Sequence, residues 1–331
     1  IKSDYDSATY YLQLAEPLFS ASRTEAGING LGAVLNNYAN IKLFQNKYTE
    51  ALELYLQALK LLDKTSETDT RTRILNNISF LYSFFKDYKK SESYARECIA
   101  LARKSNDELM IAAGSITLVD ALIHQNKLEE VPGLLEEVKR YAERKKDITR
   151  TITYYFNYGS YFMRKNDYPA ALQYYKMAKN VADSLGSEWE IMRTSVGLAD
   201  ISSLKKQYNE ALYYAAPAFK IAEKFEMTDI QQRTLSIMAS ANAGLGNYET
   251  AFRQSSLAYY LKDTVLNESN RQHLAFLEVE YQTEKQEIRI DALEKERILY
   301  GVIFGISLLG IIILLGALYL RQRAKKRLAE Q

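Results

Sequence analysis

The sequence has little of what builds reactive sites. Its 331 residues contain one cysteine, Cys98, which excludes an intrachain disulfide framework and any cysteine-rich zinc or iron–sulfur centre. Only two histidines occur, His124 and His273, far apart in the chain, so a histidine-based metal or acid–base site has no basis. Neither a glycine-rich phosphate loop, an HExxH pair nor a nucleophile elbow occurs. No catalytic residue, metal ligand or cofactor is therefore assigned, and the chain does not read as an enzyme. Four prolines and 14 glycines exclude collagenous and low-complexity classes. Charge of one sign is also missing: 43 Lys and Arg against 41 Asp and Glu leave +2, which excludes a polybasic nucleic-acid binder as the character of the whole chain. No nucleic-acid contact is expected.

What the chain does have is repetition. A length of 331 exceeds one compact core and suggests several domains or an array. A tripeptide theme recurs every 40 positions: Asn46-Lys47-Tyr48, Lys86-Asp87-Tyr88, Asn126-Lys127-Leu128, Asn166-Asp167-Tyr168, Lys206-Gln207-Tyr208 and Gly246-Asn247-Tyr248. Compact residues follow at the same period, first Ala51, Ser91, Val131, Ala171, Ala211 and Ala251, then Ala58, Cys98, Val138, Ala178, Ala218 and Ala258. Upstream of each turn lies a third compact row, Ala39, Ser79, Val119, Gly159, Ala199 and Ala239. Small side chains in these rows let two antiparallel helices approach, and the turn tyrosine is expected to cap the gap between them. Apolar residues at three- and four-residue spacing on both sides, as in Leu52, Tyr55, Leu59 and Leu62, make each unit a helical hairpin.

This pattern resembles the tetratricopeptide repeat (TPR), with units of 40 residues rather than the common 34. The predicted fold is all-α: a TPR-like α-solenoid followed by a long stalk helix and a single apolar helix. Residues 1–26 read as the second helix of a partial unit, 27–263 as six hairpins, and 264–298 as a charged stalk. In that stalk Leu274, Leu277, Tyr281 and Ile288 fit the heptad positions of a coiled coil, while Glu284 and Asp291 at the alternate positions leave open a solvated stalk packed on the last hairpin.

Residues 299–320 form 22 uncharged positions, about 33 Å of helix, enough to cross a hydrocarbon layer. Five basic residues lie in the tail 321–331, where one Glu330 leaves a net +4, so residues 1–298 carry −2. By the positive-inside tendency this predicts a single-pass inner-membrane protein, its repeats extracytoplasmic and its C-terminus cytoplasmic, with the lipid bilayer as a partner. Gly301 and Gly305 make a small-xxx-small pair that suits a homodimer face.

A stacked array offers a concave groove lined by the first helix of every hairpin. Two positions before the upstream compact row stand Asn37, Asn77 and Asn157. Amides at one register in several hairpins can both donate to and accept from an extended peptide backbone. Six before that row stand Arg73, Arg193 and Arg233, and one after it Asn40, Asp120 and Asp200. The resemblance to peptide-binding TPR proteins implies that the asparagines line the groove and that the partner is a peptide or protein.

The order of array, charged helix, apolar helix and basic tail also resembles Bacteroidetes-type membrane sensor-regulators, in which a helix-turn-helix or kinase effector follows; none is present up to Gln331. Two functions stand open: a sensor domain that relays ligand occupancy to a signalling or transcriptional regulator, and a tail-anchored scaffold with its repeats in the cytosol.

Overall fold

The computed structural model describes residues 2–45, 47–63, 65–262, 275–277, 279, 283, 289–290, 293–301, 303–304 and 315–316. The described residues are helices and short connections. α1 (Lys2–Ser20) precedes five complete hairpins: α2 (Glu25–Phe44) with α3 (Tyr48–Leu62), α4 (Asp69–Phe84) with α5 (Tyr88–Ser105), α6 (Glu108–His124) with α7 (Val131–Lys145), α8 (Ile148–Arg164) with α9 (Tyr168–Leu185), and α10 (Glu188–Leu204) with α11 (Tyr208–Lys224). α12 (Thr228–Gly244) pairs with a helix over 248–262 to make the sixth.

The helices stop where they do for a local reason. From Lys86 to Gly246 a left-handed residue occurs every 20 positions: Lys86, Asn106, Asn126, Lys146, Asn166, Gly186, Lys206, Glu226 and Gly246. At all of them but Gly186 the following N–H reaches back five residues, as from Asp87 to the Tyr82 carbonyl at 2.9 Å and from Asp147 to Ala142 at 2.9 Å, the Schellman arrangement that satisfies the last carbonyls. The residue bonded this way often caps the next helix. Asp87, Asp107, Asp147 and Asp167 each accept a hydrogen bond from the N–H three residues on. Stop and start thus share a single short connection, and the 40-residue unit is two modules of equal length.

The three compact rows form the seams. Ala51, Ser91, Val131, Ala171 and Ala211 are fully buried, as are Ala58, Cys98, Val138, Ala178 and Ala218. A larger side chain has no room there: a Cβ built on Gly159 would lie 2.5 Å from the Tyr175 ring. Where the row holds serine, Ser79 Oγ donates to the Ser91 carbonyl at 2.7 Å and leaves no orphan hydroxyl. Burial pushes the Cys98 thiol up to about 12, so it serves as a small packing group. Ion pairs between successive hairpins, such as Arg96 to Glu130 at 2.7 Å and Arg103 to Glu137 at 2.7 Å, are exposed and add little.

Two of the turn tyrosines, Tyr48 and Tyr88, reach beyond their own hairpin, and Tyr5 near the start of α1 does the same. Tyr48 packs on Phe84 at 4.4 Å, Tyr88 on His124 at 4.4 Å, and Tyr5 on Phe44 at 6.1 Å, each bridging to the last residue of the next first helix. The side chain leaves the start of a second helix and points toward its neighbour, so the row ties hairpins together. Burial, and to a lesser degree the Asp229 carboxylate, raise the Tyr48 pKa.

Two compact units divide the chain, Ile1–Phe276 and Leu277–Gln331. The membrane placement expected for the second is corrected. Among the described residues no helix is long and apolar enough to cross a membrane. A span needs about 20 consecutive apolar helical residues, whereas the longest described helical stretch there, 293–301, contains Glu294, Lys295, Glu296 and Arg297. The inner-membrane location, the orientation and the bilayer partner fall with it. Of the run 299–320, residues 302, 305–314 and 317–320 lie outside the described residues, as does the tail 321–331. Gly301 has nothing within 4 Å of a Cβ built on it, and Gly305 lies outside the described residues. Most of the stalk, including Leu274, Tyr281, Glu284, Ile288 and Asp291, lies outside them too, and Leu277 is exposed.

Candidate functional site

Each first helix buries one side on its own second helix and lies beside the first helices of neighbouring hairpins. The side left over faces out, and on α4 it carries Arg73, Asn77, Phe80 and Phe84 at helical spacing. Across these faces the polar residues pair from hairpin to hairpin. Asn77 Nδ2 donates to Asn40 Oδ1 at 3.1 Å, and the Tyr55 hydroxyl donates to the same oxygen at 2.6 Å. Thr117 Oγ1 donates to Asn76 Oδ1 at 2.8 Å, and Ser83 donates to Asp120. Arg193 reaches Thr153 Oγ1 at 3.2 Å and Glu190 at 2.7 Å, while its guanidinium lies 4.5 Å from the centre of the Phe156 ring. Arg233 pairs with Asp200. Burial raises the Asp200 carboxyl above the ordinary carboxylate range, and Arg233 opposes that rise.

The residues singled out from the sequence therefore occupy different situations. Asn37 is exposed, with Asn36 Nδ2 3.5 Å from its Oδ1. Asn77 and Asn40 are tied to each other, and Asp200 and Arg233 likewise. Asn157 is only 8% exposed, and its Nδ2 has no hydrogen-bond partner among the described residues; Asn36 Oδ1 is in the same position. A buried amide left unpaired costs about 1–3 kcal/mol. Arg73 is exposed and pairs with no carboxylate among the described residues.

Sequence reasoning missed three features of this face. Tyr55 and Tyr175 start on second helices and reach through to the first-helix side, where the Tyr175 hydroxyl lies 3.2 Å from Ser160 Oγ. Burial holds both phenols protonated, Tyr175 being pushed up to about 12. Phe80 is 47% exposed at the register that elsewhere holds Asn40, Asp120, Ser160, Asp200 and Ser240. A single phenylalanine in an otherwise polar row was the available signal. Trp189, on the same side of α10, is 50% exposed. At the end of the array an open cleft of 580 Å³ between α12 and the helix over 248–262 is lined by Ser236, Ser240, Phe252 and Tyr259 among others.

This geometry agrees with what comparison finds. Residues 30–104 match the tetratricopeptide repeat family. The fold is a TPR-like helical solenoid. It is similar to a Rap protein complexed with competence and sporulation factor, at 13% identity and TM-score 0.57 over 81% of this chain and 79% of that one. A Rap conjugation gene regulator in complex with the Phr peptide gives 14% and 0.55 over 73% and 76%. Aspartyl phosphate phosphatase F from Bacillus subtilis gives 13% and 0.53 over 80% and 71%. Likeness at these identities establishes the fold. No curated protein matches the sequence, and the resemblance to membrane sensor-regulators finds no support in these matches.

Proposed function

We propose that the array is a binding module that reads a peptide, or an extended segment of a protein, along its first-helix faces, and that occupancy is passed on as a regulatory signal. The observation that carries this reading is the outer side of α4. There a cation, an amide and an exposed phenyl ring follow one another at Arg73, Asn77 and Phe80. Arg73 and Phe80 are seven residues apart on a helix, about 10 Å, which an extended peptide covers in about three residues. The module thus suits a ligand with a carboxylate about three residues from an apolar side chain, its backbone amide meeting Asn77 between them. Support also comes from the unpartnered amide atoms of Asn36 and Asn157 on first helices and from a Rap structure of similar fold that holds a peptide. The reading assigns binding to these residues and no bond-making step.

Trp189 is the only tryptophan of the chain and lies on the first-helix side, so binding has a built-in reporter. Screened on a peptide array, the full chain is expected to retain a subset of sequences, and titrating one of them is expected to change Trp189 fluorescence. Phe80→Ala, and separately Asn37→Ala with Asn77→Ala and Asn157→Ala, are expected to weaken that binding roughly tenfold or more, the scale of one lost anchor. An array that retains nothing, or affinities unchanged in both variants, overturns the reading.

A further inference from the structure

One side chain from beyond the six hairpins is buried in the array. Phe276, fourteen residues past the helix over 248–262, is 2% exposed, while its neighbours Ala275 and Leu277 are exposed, Leu277 at 43%. Its ring meets Tyr82 edge-on, with centroids 5.1 Å apart and planes at 88°, and Phe85 at 4.4 Å and 40°. These are the offset and perpendicular arrangements that aromatic rings favour. The socket is firm. Tyr82 stacks on Tyr94 at 5.4 Å, and the Lys90 ammonium lies 5.6 Å from the centre of the Tyr82 ring. It is also particular to the second hairpin, since in place of Phe85 the others hold Gln45, Gln125, Lys165, Lys205 and Leu245.

The two sides of this contact are four hairpins apart in the array. A solenoid is compliant because each repeat touches only its neighbours, so its curvature can change by small increments at every seam. A contact between distant hairpins removes that freedom.

We propose that Phe276 is an intramolecular clasp: seated in the Tyr82–Phe85 socket, it fastens the segment after the sixth hairpin to the second and holds the superhelix at one curvature. Opening the array then requires withdrawing this ring. The clasp does not depend on what occupies the first-helix faces.

The test places p-azidophenylalanine at position 276 of the full chain and irradiates it. Mass spectrometry is expected to find the cross-link in the peptide that contains Tyr82 and Phe85, within single chains. A cross-link found only in chain dimers would give the socket to a second copy, and absence of any link to the second hairpin would remove the contact; either overturns the clasp. As a second measurement, Phe276→Ala is expected to speed amide exchange over residues 82–90 roughly tenfold or more, as loss of a buried phenyl ring implies. Exchange in α8 and α9 stays unchanged, and so does that of Leu277→Ala at 82–90. Equal exchange in Phe276→Ala and the unaltered chain also overturns it.

Discussion

The imidazole of His124 lies flat on the ring of Tyr88, centroids 4.4 Å apart and planes within 9° of parallel, joining the third hairpin to the second. Its Nδ1 meets the main-chain oxygen of Asp120 at 2.9 Å and the carboxylate at 3.4 Å. The side-chain bond to Asp120 is the larger cause that raises the His124 pKa, and burial opposes it. A raised histidine pKa contributes stability that is complete below the unfolded value of about 6.5 and is lost as pH rises through the folded value. His124→Phe keeps a ring on Tyr88 without the charge. Urea unfolding of the two proteins is expected to diverge below about pH 6.5 and converge as pH rises above it. An NMR titration is expected to place His124 above the reference value.

The left-handed positions offer a gain. Lys146 and Glu226 hold φ of 54° and 55°, where a side chain is strained and glycine is not. Lys146→Gly and Glu226→Gly are each expected to stabilise by about 0.5–1 kcal/mol after the added freedom of the unfolded chain is counted. Thermal unfolding checks it, and a lower midpoint for both would contradict the account of the stops.

Asp147 caps α8 through the Arg150 N–H at 3.0 Å and holds the Arg150 guanidinium at 2.6 Å. Asp147→Ala is expected to cost about 1 kcal/mol. Asp147→Asn, which keeps the cap, is expected to recover most of it in the same urea titration.

Two glycines separate packing from propensity. A Cβ at Gly159 meets the buried Tyr175 ring at 2.5 Å, whereas one at Gly133 has nothing within 4 Å. Gly159→Ala is expected to destabilise by about 1–3 kcal/mol through overpacking. Gly133→Ala, in the first turn of α7, is expected to be neutral or stabilising by up to about 1 kcal/mol.

The seams were legible because a repeated packing problem leaves a repeated answer: Ala51, Ser91 and Val131 differ in chemistry but share a limit on size. The partners of Tyr48 and Tyr88 were not, because Phe84 and His124 share no chemistry and the contact crosses between units. On the first helices the register could be read, yet not which polar groups are spent on each other, since the Asn40–Asn77 bond depends on how two hairpins stack. Phe276 was hidden by the heptad pattern around it, which drew attention to Leu274 and Leu277. The span was read from the length and apolarity of an uncharged run, most of which lies outside the described residues.

The stops at every twentieth residue bear on how such a chain changes length. A residue inserted within a helix turns everything after it by about 100° and pulls the compact rows off their seams. Insertion of a whole hairpin, cut at left-handed residues such as Asn106 and Lys146, returns each side chain to an equivalent neighbour. The molecule therefore tolerates growth and loss only in whole steps, and a clasp spanning four hairpins sets how many steps it can gain before its two ends no longer meet.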